Sequence, residues 1–259
     1  MVEAFYRQAG DAIESLPSTR GPWHPDLQHA GPPAALLGRA LETDSTAFRV
    51  TRVSIDLLKP VPITTLRVEC STLIGGRRRQ LREARLLVGE QTVALARAML
   101  LRTTSLALDA LPNHDPPAPP PLDEGVAYEM PFSTGEQGYH KAMELRVVRG
   151  GPGQGQGQIW MRQRIPLLAG EAPSQLQRVL LIADSGNGIS SSLDWRRWRF
   201  TNPDLTINLR RPPLGDWLCL DAHTHFQDDG LGMAESRIWD HQGVVGNGTQ
   251  NLLLEPGAP

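Results

Sequence analysis

The feature that most constrains the fold is an internal repeat at a constant separation of 152 residues. Under this shift SIDLLKP, residues 54–60, falls on TINLRRP, residues 206–212. The same shift matches Glu83 with Glu235 and Arg85 with Arg237. It also puts the tight turn of LLVGEQTVA on that of IWDHQGVVG. A gap-free shift that aligns turns with turns indicates two copies of one folding unit.

Each copy contains the same order of predicted elements: a short strand, a loop, one helix and then long strands joined by tight turns. The predicted strands lie near residues 50–58, 65–74, 81–88 and 91–102, and near 204–210, 216–226, 232–239 and 244–254. The helix-like segment at 32–42 aligns with a helix predicted after residue 188. One helix covers an antiparallel sheet best when the sheet curls around it. The sequence therefore predicts an α+β fold with two such units.

A proline-dense segment, NHDPPAPPPLDEG at residues 113–125, divides the chain near its middle. Such a composition predicts an extended linker. We therefore predict a first unit at residues 1–112 and a second at 126–259. Within the second unit, GGPGQGQGQ at 150–158 lies between two strand-like segments and predicts a hairpin loop.

Charge and hydropathy exclude several classes of partner. The net charge is −2, from 26 Lys and Arg against 28 Asp and Glu. There is thus no basic field of the kind that favours nucleic acid or an anionic membrane, and a neutral or organic ligand fits better. The N-terminus carries acids where a signal peptide needs an apolar core, and no apolar run approaches the ~20 residues of a membrane span. We expect an unprocessed protein without a membrane segment.

The cysteines and two of the histidines do not have the spacing of a metal site. Cys70 and Cys219 lie far apart without a CxxC neighbourhood, which favours reduced structural thiols and a cytoplasmic location over a disulfide or a zinc site. His223 and His225 share a strand face, but no third ligand with zinc spacing accompanies them. An exposed strand face is the simpler interpretation, and we predict no metal and no cofactor.

The segment LLIADSGNGISSSLDW, residues 180–195, predicts a buried strand, a glycine-rich turn and a helix. Gly186, Gly188 and Ser191 have the spacing of a phosphate-binding fingerprint. Alternatively, Asp184 arrives exposed at the strand's end, beside the backbone N–H groups of a helix N-terminus. A dinucleotide-binding unit needs parallel strands alternating with helices, whereas long strands with tight turns follow here. The sequence therefore favours a functional Asp184 over a phosphate-binding turn.

Two tryptophans lie at the end of this segment and just beyond it. Trp195 and Trp198 are three residues apart on the predicted helix, a spacing that predicts packing inside the sheet.

With the repeat established, the chain resembles the double-hotdog acyl-CoA thioesterases, the acyl-CoA thioesterase II group and its thioesterase-like relatives. The resemblance is carried by QHAGPPAALLGRALE, by ADSGNG followed by NPDLTINLRRPPLGDW, and by GLGMAESRIWDHQGVVGNGTQNLLLEP. It implies a double-hotdog fold, an acyl-CoA substrate and a function in lipid metabolism. Hotdog sheets also often pair edge to edge, so we expect any homo-oligomer to form through its sheet edges.

The resemblance implies one active site in the second unit, made by an Asp, a hydroxyl residue and a Gln. Asp184 takes the Asp position and Gln250 the Gln position. The hydroxyl position falls on Asn202, immediately after Thr201, which is a departure from the family pattern. The repeat independently indicates a single site, because the first unit has apolar residues at the three equivalent positions: Pro32, Val50 and Ala98.

These residues suit thioester hydrolysis. An ionised Asp184 could orient or deprotonate water, and Gln250 could hold that water. The backbone N–H groups of Gly186, Asn187 and Gly188 could polarise the thioester carbonyl. Structural interpretations stay open beside these: Asp184 as a helix N-cap, Gln250 on a solvent face and Asn202 as a turn former.

Three functions follow from the sequence. The first is an acyl-CoA thioesterase that releases CoA and a carboxylic acid. The second is a catalytically silent protein that binds acyl-CoA or an acyl chain, motivated by Asn202. The third is a hotdog hydratase or dehydratase, whose chemistry needs a His paired with an Asp. It ranks last because the junction around Asp184 contains no histidine.

Overall fold

The structure is a computed structural model that describes residues 4–42, 46–109, 112, 114–130 and 137–257. Residues 1–3 and 258–259, at the ends of the two predicted units, and Asn113, the first residue of the predicted linker, lie outside the described residues. The strands are β1 (Tyr6–Ala9), β2 (Ala12–Ser15), β3 (Phe48–Leu57), β4 (Thr65–Ile74), β5 (Arg79–Val88), β6 (Gln91–Arg102), β7 (Val126–Tyr128), β8 (Met143–Gly150), β9 (Gln156–Gln163), β10 (Trp198–Thr201), β11 (Asp204–Leu209), β12 (Leu218–Phe226), β13 (Leu231–Asp240) and β14 (Gly243–Pro256). The helices are α1 (Gly31–Leu41), α2 (Tyr139–Ala142), α3 (Gln175–Ala183) and α4 (Gly186–Ser190), with short 3-10 turns at Pro17–Thr19 and Leu122–Glu124.

The described strands form one continuous antiparallel sheet that contains both copies. Its order is β1-β2-β4-β5-β6-β3-β11-β14-β13-β12-β9-β8-β7, and β10 also pairs with β14. The copies meet where β3 pairs with β11, with Val53 opposite Ile207. Both side chains are buried, so the seam between the copies is part of the core. The predicted α+β double hotdog is confirmed.

The strand register follows the repeat. Cross-strand pairs in the first copy reappear in the second at the same shift of 152 residues. Examples are Ile55↔Ala96 with Ile207↔Gly248, Glu83↔Arg97 with Glu235↔Thr249, and Arg49↔Leu101 with Thr201↔Leu253. The strands are thus structurally equivalent pair by pair.

The two copies differ at one point that matters for the site. In β3 the register shifts between Val50 and Arg52, and the strand continues. At the equivalent place the second copy breaks into β10 and β11 at Asn202 and Pro203. Proline has no N–H for a strand ladder, so a break is expected there. The side chain of Asn202 is thereby taken out of the regular sheet.

The segment between the copies lies along the second unit. Residues 114–121 have no regular secondary structure, and Trp160 Nε1 donates to Pro120 O at 2.9 Å. The division of the chain at 113–125 stays a prediction. The hairpin predicted around residues 150–158 is confirmed, because β8 and β9 pair on either side of it.

The prediction of a strand at residues 180–184 was wrong, because this segment ends helix α3 and Asp184 follows it directly. The apolar run 179–183 is short enough to fit either a strand or a buried helix. The missed signal lies upstream: Ser174 is the N-cap, its Oγ accepts from Gln177 N at 3.1 Å, and Ser-x-x-Gln is a capping-box pattern.

The predicted helix after residue 188 is correspondingly short. Helix α4 ends at Ser190, so Trp195 and Trp198 are not helical neighbours. Trp195 lies in the following loop with 36% of its surface exposed, and Trp198 begins β10. The prediction that both pack inside the sheet was wrong.

Helices α1 and α3 pack directly on each other, and glycines make this possible. A Cβ on Gly31 would lie 2.3 Å from Leu181 O, and one on Gly38 would lie 2.3 Å from Leu180 Cδ1. The two glycines are seven residues apart, so they lie on one face of α1. The start of α1 is therefore held against the end of α3, where Asp184 stands.

The remaining sequence predictions concern two histidines, the two cysteines and a membrane segment. His223 and His225 are exposed on β12, and Cys219 is buried while Cys70 is exposed, both as free thiols. In the part of the chain that the structure describes, no helix is long and apolar enough to cross a membrane.

Candidate active site

Asp184 lies between helices α3 and α4, and its side chain is only 6% exposed. Four donors surround its carboxylate. Asn202 Nδ2 donates to Oδ1 at 2.6 Å, Gln250 Nε2 donates to Oδ1 at 3.2 Å, His29 Nδ1 lies 3.0 Å from Oδ2, and the backbone N–H of Ala30 also donates. A carboxylate offers about four lone-pair positions, so these contacts occupy all of them. The interpretation of Asp184 as a helix N-cap is wrong, because Ser185 is the N-cap residue of α4 and Asp184 is the C-cap residue of α3.

These contacts determine the charge of Asp184. Burial by itself raises the pKa of a carboxyl group, and it is the largest single influence here. His29 and the donors from Asn202 and Ala30 act in the opposite direction and together lower the pKa of Asp184 below its usual range. Asp184 is therefore ionised at neutral pH.

Gln250 lies on β14 opposite Ala234 and is 2% exposed. The interpretation of Gln250 as a residue on a solvent face is therefore wrong. Its Nε2 also donates to Asp184 O at 3.0 Å, and its Oε1 accepts from Asn187 N at 3.3 Å. Asp184 and Gln250 thus converge as predicted, but they contact directly rather than across a water-sized gap.

Of the two candidates for the hydroxyl position, the structure brings only Asn202 to Asp184. Asn202 is half-buried and its side chain donates to Asp184 at 2.6 Å, so it is more than a turn former. Thr201 is exposed at the end of β10 and, among the described residues, makes no side-chain hydrogen bond to Asp184 or Gln250.

The glycine-rich turn differs from the prediction. The N–H of Asn187 donates to Gln250, so it is not free for a substrate oxygen. Gly186 is buried, and a Cβ there would lie 2.7 Å from Ser236 Oγ and 2.9 Å from Gln250 Oε1. Its glycine is needed for this close packing and not for the approach of a ligand. Gly188 is exposed and lines the cavity beside the site.

His29 is the site residue that sequence reasoning missed. It precedes α1 in the first copy, far from Asp184 in sequence, so the ground for ranking a hydratase last was wrong. Its ring stacks on Tyr139 with centroids 3.8 Å apart and an interplanar angle of 7°. The constant shift of 152 residues could not predict the contact of His29 with Asp184, because these residues lie on elements that are not equivalent in the two copies.

The site opens into a cavity of about 950 Å³. Residues from both copies line it, and they include the apolar side chains of Trp23, Leu57, Val61, Ile189, Phe200 and Leu252. Charged side chains at the cavity include the basic Arg20, Lys59 and Arg199 and the acidic Asp184, Asp194 and Glu255. A cavity lined mainly by apolar groups with a few polar ones suits a ligand with a long apolar part. Among the described residues, no group of three or more His, Cys, Asp or Glu is arranged to hold a metal ion.

The corresponding place in the first copy is apolar. Ala98 occupies the register position of Gln250, since Arg82↔Ala98 corresponds to Ala234↔Gln250. Ala98 and Pro32 are buried, and Val50 is half-buried. Apart from His29, which the first copy contributes, the polar residues around Asp184 therefore come from the second copy.

Comparison with family models decides the affiliation. The acyl-CoA thioesterase C-terminal domain matches residues 112–254, and the acyl-CoA thioesterase N-terminal domain matches residues 19–102. The chain belongs to the acyl-CoA thioesterase family. No curated protein matched the chain.

Solved structures of similar fold agree with this affiliation. A candidate thioesterase II from Thermobifida fusca is 17% identical with a TM-score of 0.75, covering 96% of this chain and 94% of that one. A hot dog fold protein from Alicyclobacillus acidocaldarius is 14% identical with a TM-score of 0.73, covering 98% and 96%. An acyl-CoA thioesterase II, TesB2, from Mycobacterium marinum is 16% identical with a TM-score of 0.63, covering 100% and 96%. At these identities the likeness concerns the fold.

Proposed function

We propose that this member of the acyl-CoA thioesterase family hydrolyses the thioester of an acyl-CoA to free CoA and a carboxylic acid. The observation that carries the proposal is the convergence of Asp184, Gln250 and Asn202 at the wall of a largely apolar cavity. An ionised carboxylate among neutral amides is suited to orient and deprotonate a water molecule.

In the proposed reaction, a water molecule from the cavity displaces Gln250 Nε2 from Asp184 Oδ1, where the two side chains contact each other at 3.2 Å, and binds between them. Asp184 accepts a proton as the water oxygen attacks the thioester carbonyl carbon. The resulting oxyanion needs a donor, and we assign this role to the backbone N–H of Gly188, an exposed residue of the glycine-rich turn that lines the cavity. Collapse of the intermediate breaks the C–S bond, and the proton that Asp184 accepted passes to the CoA thiolate, which regenerates the carboxylate.

The test is thiol release from a panel of acyl-CoAs from short to long chain. We expect steady release of free thiol from at least one of them, with equal amounts of carboxylic acid. Binding of acyl-CoA without thiol release from any substrate would contradict the proposal and support the silent binder.

The contact between His29 and Asp184 favours a hydratase as a second candidate. Addition of water to a 2-enoyl-CoA leaves the thioester intact, so loss of the enoyl absorbance without thiol release would identify this activity. Hydrolysis is the better supported reaction, because both family models are thioesterase domains.

We also infer a cytoplasmic enzyme of lipid metabolism, since both cysteines are free thiols and acyl-CoAs are intermediates of that metabolism. Strands β1 and β7 end the sheet order, and an edge strand can pair with another chain. These edges are where we expect any homo-oligomer to form, and light scattering would measure its mass.

A further inference from the structure

We propose that His29, which the first copy contributes, is a positioning residue that holds the Asp184 carboxylate for reaction through a hydrogen bond from Nδ1. The inference rests on the proposed function, and it makes the single active site a joint product of the two copies. Nδ1 lies 3.0 Å from Asp184 Oδ2, and the side chains of both residues are largely buried.

The surroundings of His29 fix the ring in place. Its backbone N–H donates to Thr19 O at 2.8 Å, and its ring stacks on buried Tyr139. The hydroxyl of Tyr139 in turn donates to Leu181 O at 3.0 Å and lies 3.0 Å from Ser185 Oγ, on either side of Asp184 in sequence. One aromatic ring therefore sets the position of His29 relative to the helix junction.

The glycine at position 31 allows His29 to reach this place. A Cβ on Gly31 would lie 2.3 Å from the backbone oxygen of Leu181, so any other residue would push the start of α1 away from α3. His29 would then move away from Asp184 together with α1.

In a purely structural role, His29 would cap helix α1, and Nδ1 would then have to accept a hydrogen bond and not donate one. Gly31 N also lies 3.0 Å from His29 Nδ1, in the geometry of a donor. One nitrogen cannot donate to Asp184 and accept from Gly31 at once. An ionised Asp184 favours the proton on Nδ1, since two acceptors 3.0 Å apart would repel each other, and a hydrogen bond to a carboxylate is stronger than one from the neutral N–H of Gly31. The contact with Asp184 therefore prevails over a capping role.

In the part of the chain that the structure describes, few groups face Asp184. His29 and Tyr139 are the ionisable ones, from the loop before α1 and from α2, and Asn202 and Gln250 contribute neutral amides from the sheet. Removing His29 leaves burial to raise the pKa of Asp184 with less opposition. A change in that pKa is a readout that a capping role would not produce.

Three substitutions separate the two roles, with His223→Ala on exposed β12 as the matched control. His29→Ala removes both the donor to Asp184 and the acceptor for the N–H of Gly31. His29→Asn keeps a neutral donor at the same distance along the side chain. His29→Asp can still cap Gly31, but it places a like charge beside Asp184. Thiol release against pH, acyl-CoA affinity and melting temperature are measured for each variant.

We expect His29→Ala to lower kcat about 10- to 100-fold, as for the loss of a hydrogen bond to a charged group, with affinity nearly unchanged. The acid limb of its pH–rate profile should move to higher pH, because the pKa of Asp184 rises. His29→Asn should recover most of the turnover, whereas His29→Asp should not. His29 variants that retain wild-type kcat and acid limb, and lose only melting temperature, would overturn the proposal.

The pKa of Asp184, followed by its carboxyl ¹³C chemical shift, tests the contact without relying on turnover. A higher pKa in His29→Ala than in the wild type supports it, and an unchanged value overturns it. A wild type without thiol release contradicts the proposed function, whereas an active wild type matched by its His29 variants contradicts only the role of His29.

Discussion

At the scale of single residues, the site depends on which neighbour of Asp184 replaces the expected hydroxyl group. Asn202 donates to the carboxylate at 2.6 Å, and the side chain of Thr201 makes no contact with it among the described residues. An amide donor does for the carboxylate what a hydroxyl would do, since both stabilise its charged form. We therefore expect Asn202 to supply the hydrogen-bond donor at the position where the resemblance implies a hydroxyl residue.

The matched pair Asn202→Ala and Thr201→Ala tests this assignment. We expect Asn202→Ala to lower kcat about tenfold or more, because a hydrogen bond to a charged group is lost. Thr201→Ala should remain near the wild type, since its side chain is exposed. Thiol release under saturating acyl-CoA measures both. The reverse order of effects would reassign the position to Thr201.

The lowered pKa of Asp184 predicts a pH-dependent stability. A carboxyl whose pKa is lower in the folded protein stabilises it above its unfolded pKa of about 3.9, and this contribution is lost as pH falls through the folded pKa. Denaturant unfolding of the wild type and Asp184→Asn at pH 7 and near pH 3 measures it. We expect the difference between the two proteins to shrink at the lower pH. A difference that grows on acidification would contradict the lowered pKa.

At the scale of elements, the sequence predicted the strands well and the second helix poorly. Strands such as β3 and β12 carry apolar residues at every second position along part of their length, and this period is typical of a half-buried strand. The run 179–183 is apolar throughout, so it carries no period, and the capping pair Ser174 and Gln177 was the only local sign of a helix. The contact of His29 with Asp184 depends on how α1 packs on α3, which local sequence does not encode.

The close packing of these two helices can be tested at its glycines. Gly31→Ala would place Cβ against the backbone of Leu181, whereas Gly38→Ala meets only the movable end of the Leu180 side chain. We expect Gly31→Ala to cost about 1–3 kcal/mol in the free energy of unfolding and Gly38→Ala clearly less. Denaturant titration gives both values. Equal costs would show that the helices are not held at this distance.

At the scale of the whole molecule, the shared sheet predicts that both copies unfold together. Leu86 is fully buried in β5 of the first copy, and five of the six tryptophans lie in the second. Leu86→Ala should cost about 2–5 kcal/mol. Tryptophan fluorescence, which mainly reports the second copy, should therefore show a lower unfolding midpoint. A fluorescence transition that stays at the wild-type midpoint would indicate independent units.

The repeat explains why the location of the site, but not its full composition, could be read from the sequence. Polar residues at positions 184, 202 and 250 against apolar residues at 32, 50 and 98 indicated that only the second copy is reactive. His29 lies outside this comparison, because it reaches the site across the packed helices and not through the repeat.

The central claim is that Asp184 activates water for hydrolysis, and Asp184→Asn tests it most directly. Replacing a carboxylate by an amide removes the base and leaves the volume of the side chain almost unchanged. We expect thiol release at saturating acyl-CoA to fall by about 10²-fold or more, while acyl-CoA still binds with similar affinity. An Asp184→Asn protein that is folded and releases thiol at the wild-type rate would contradict the claim.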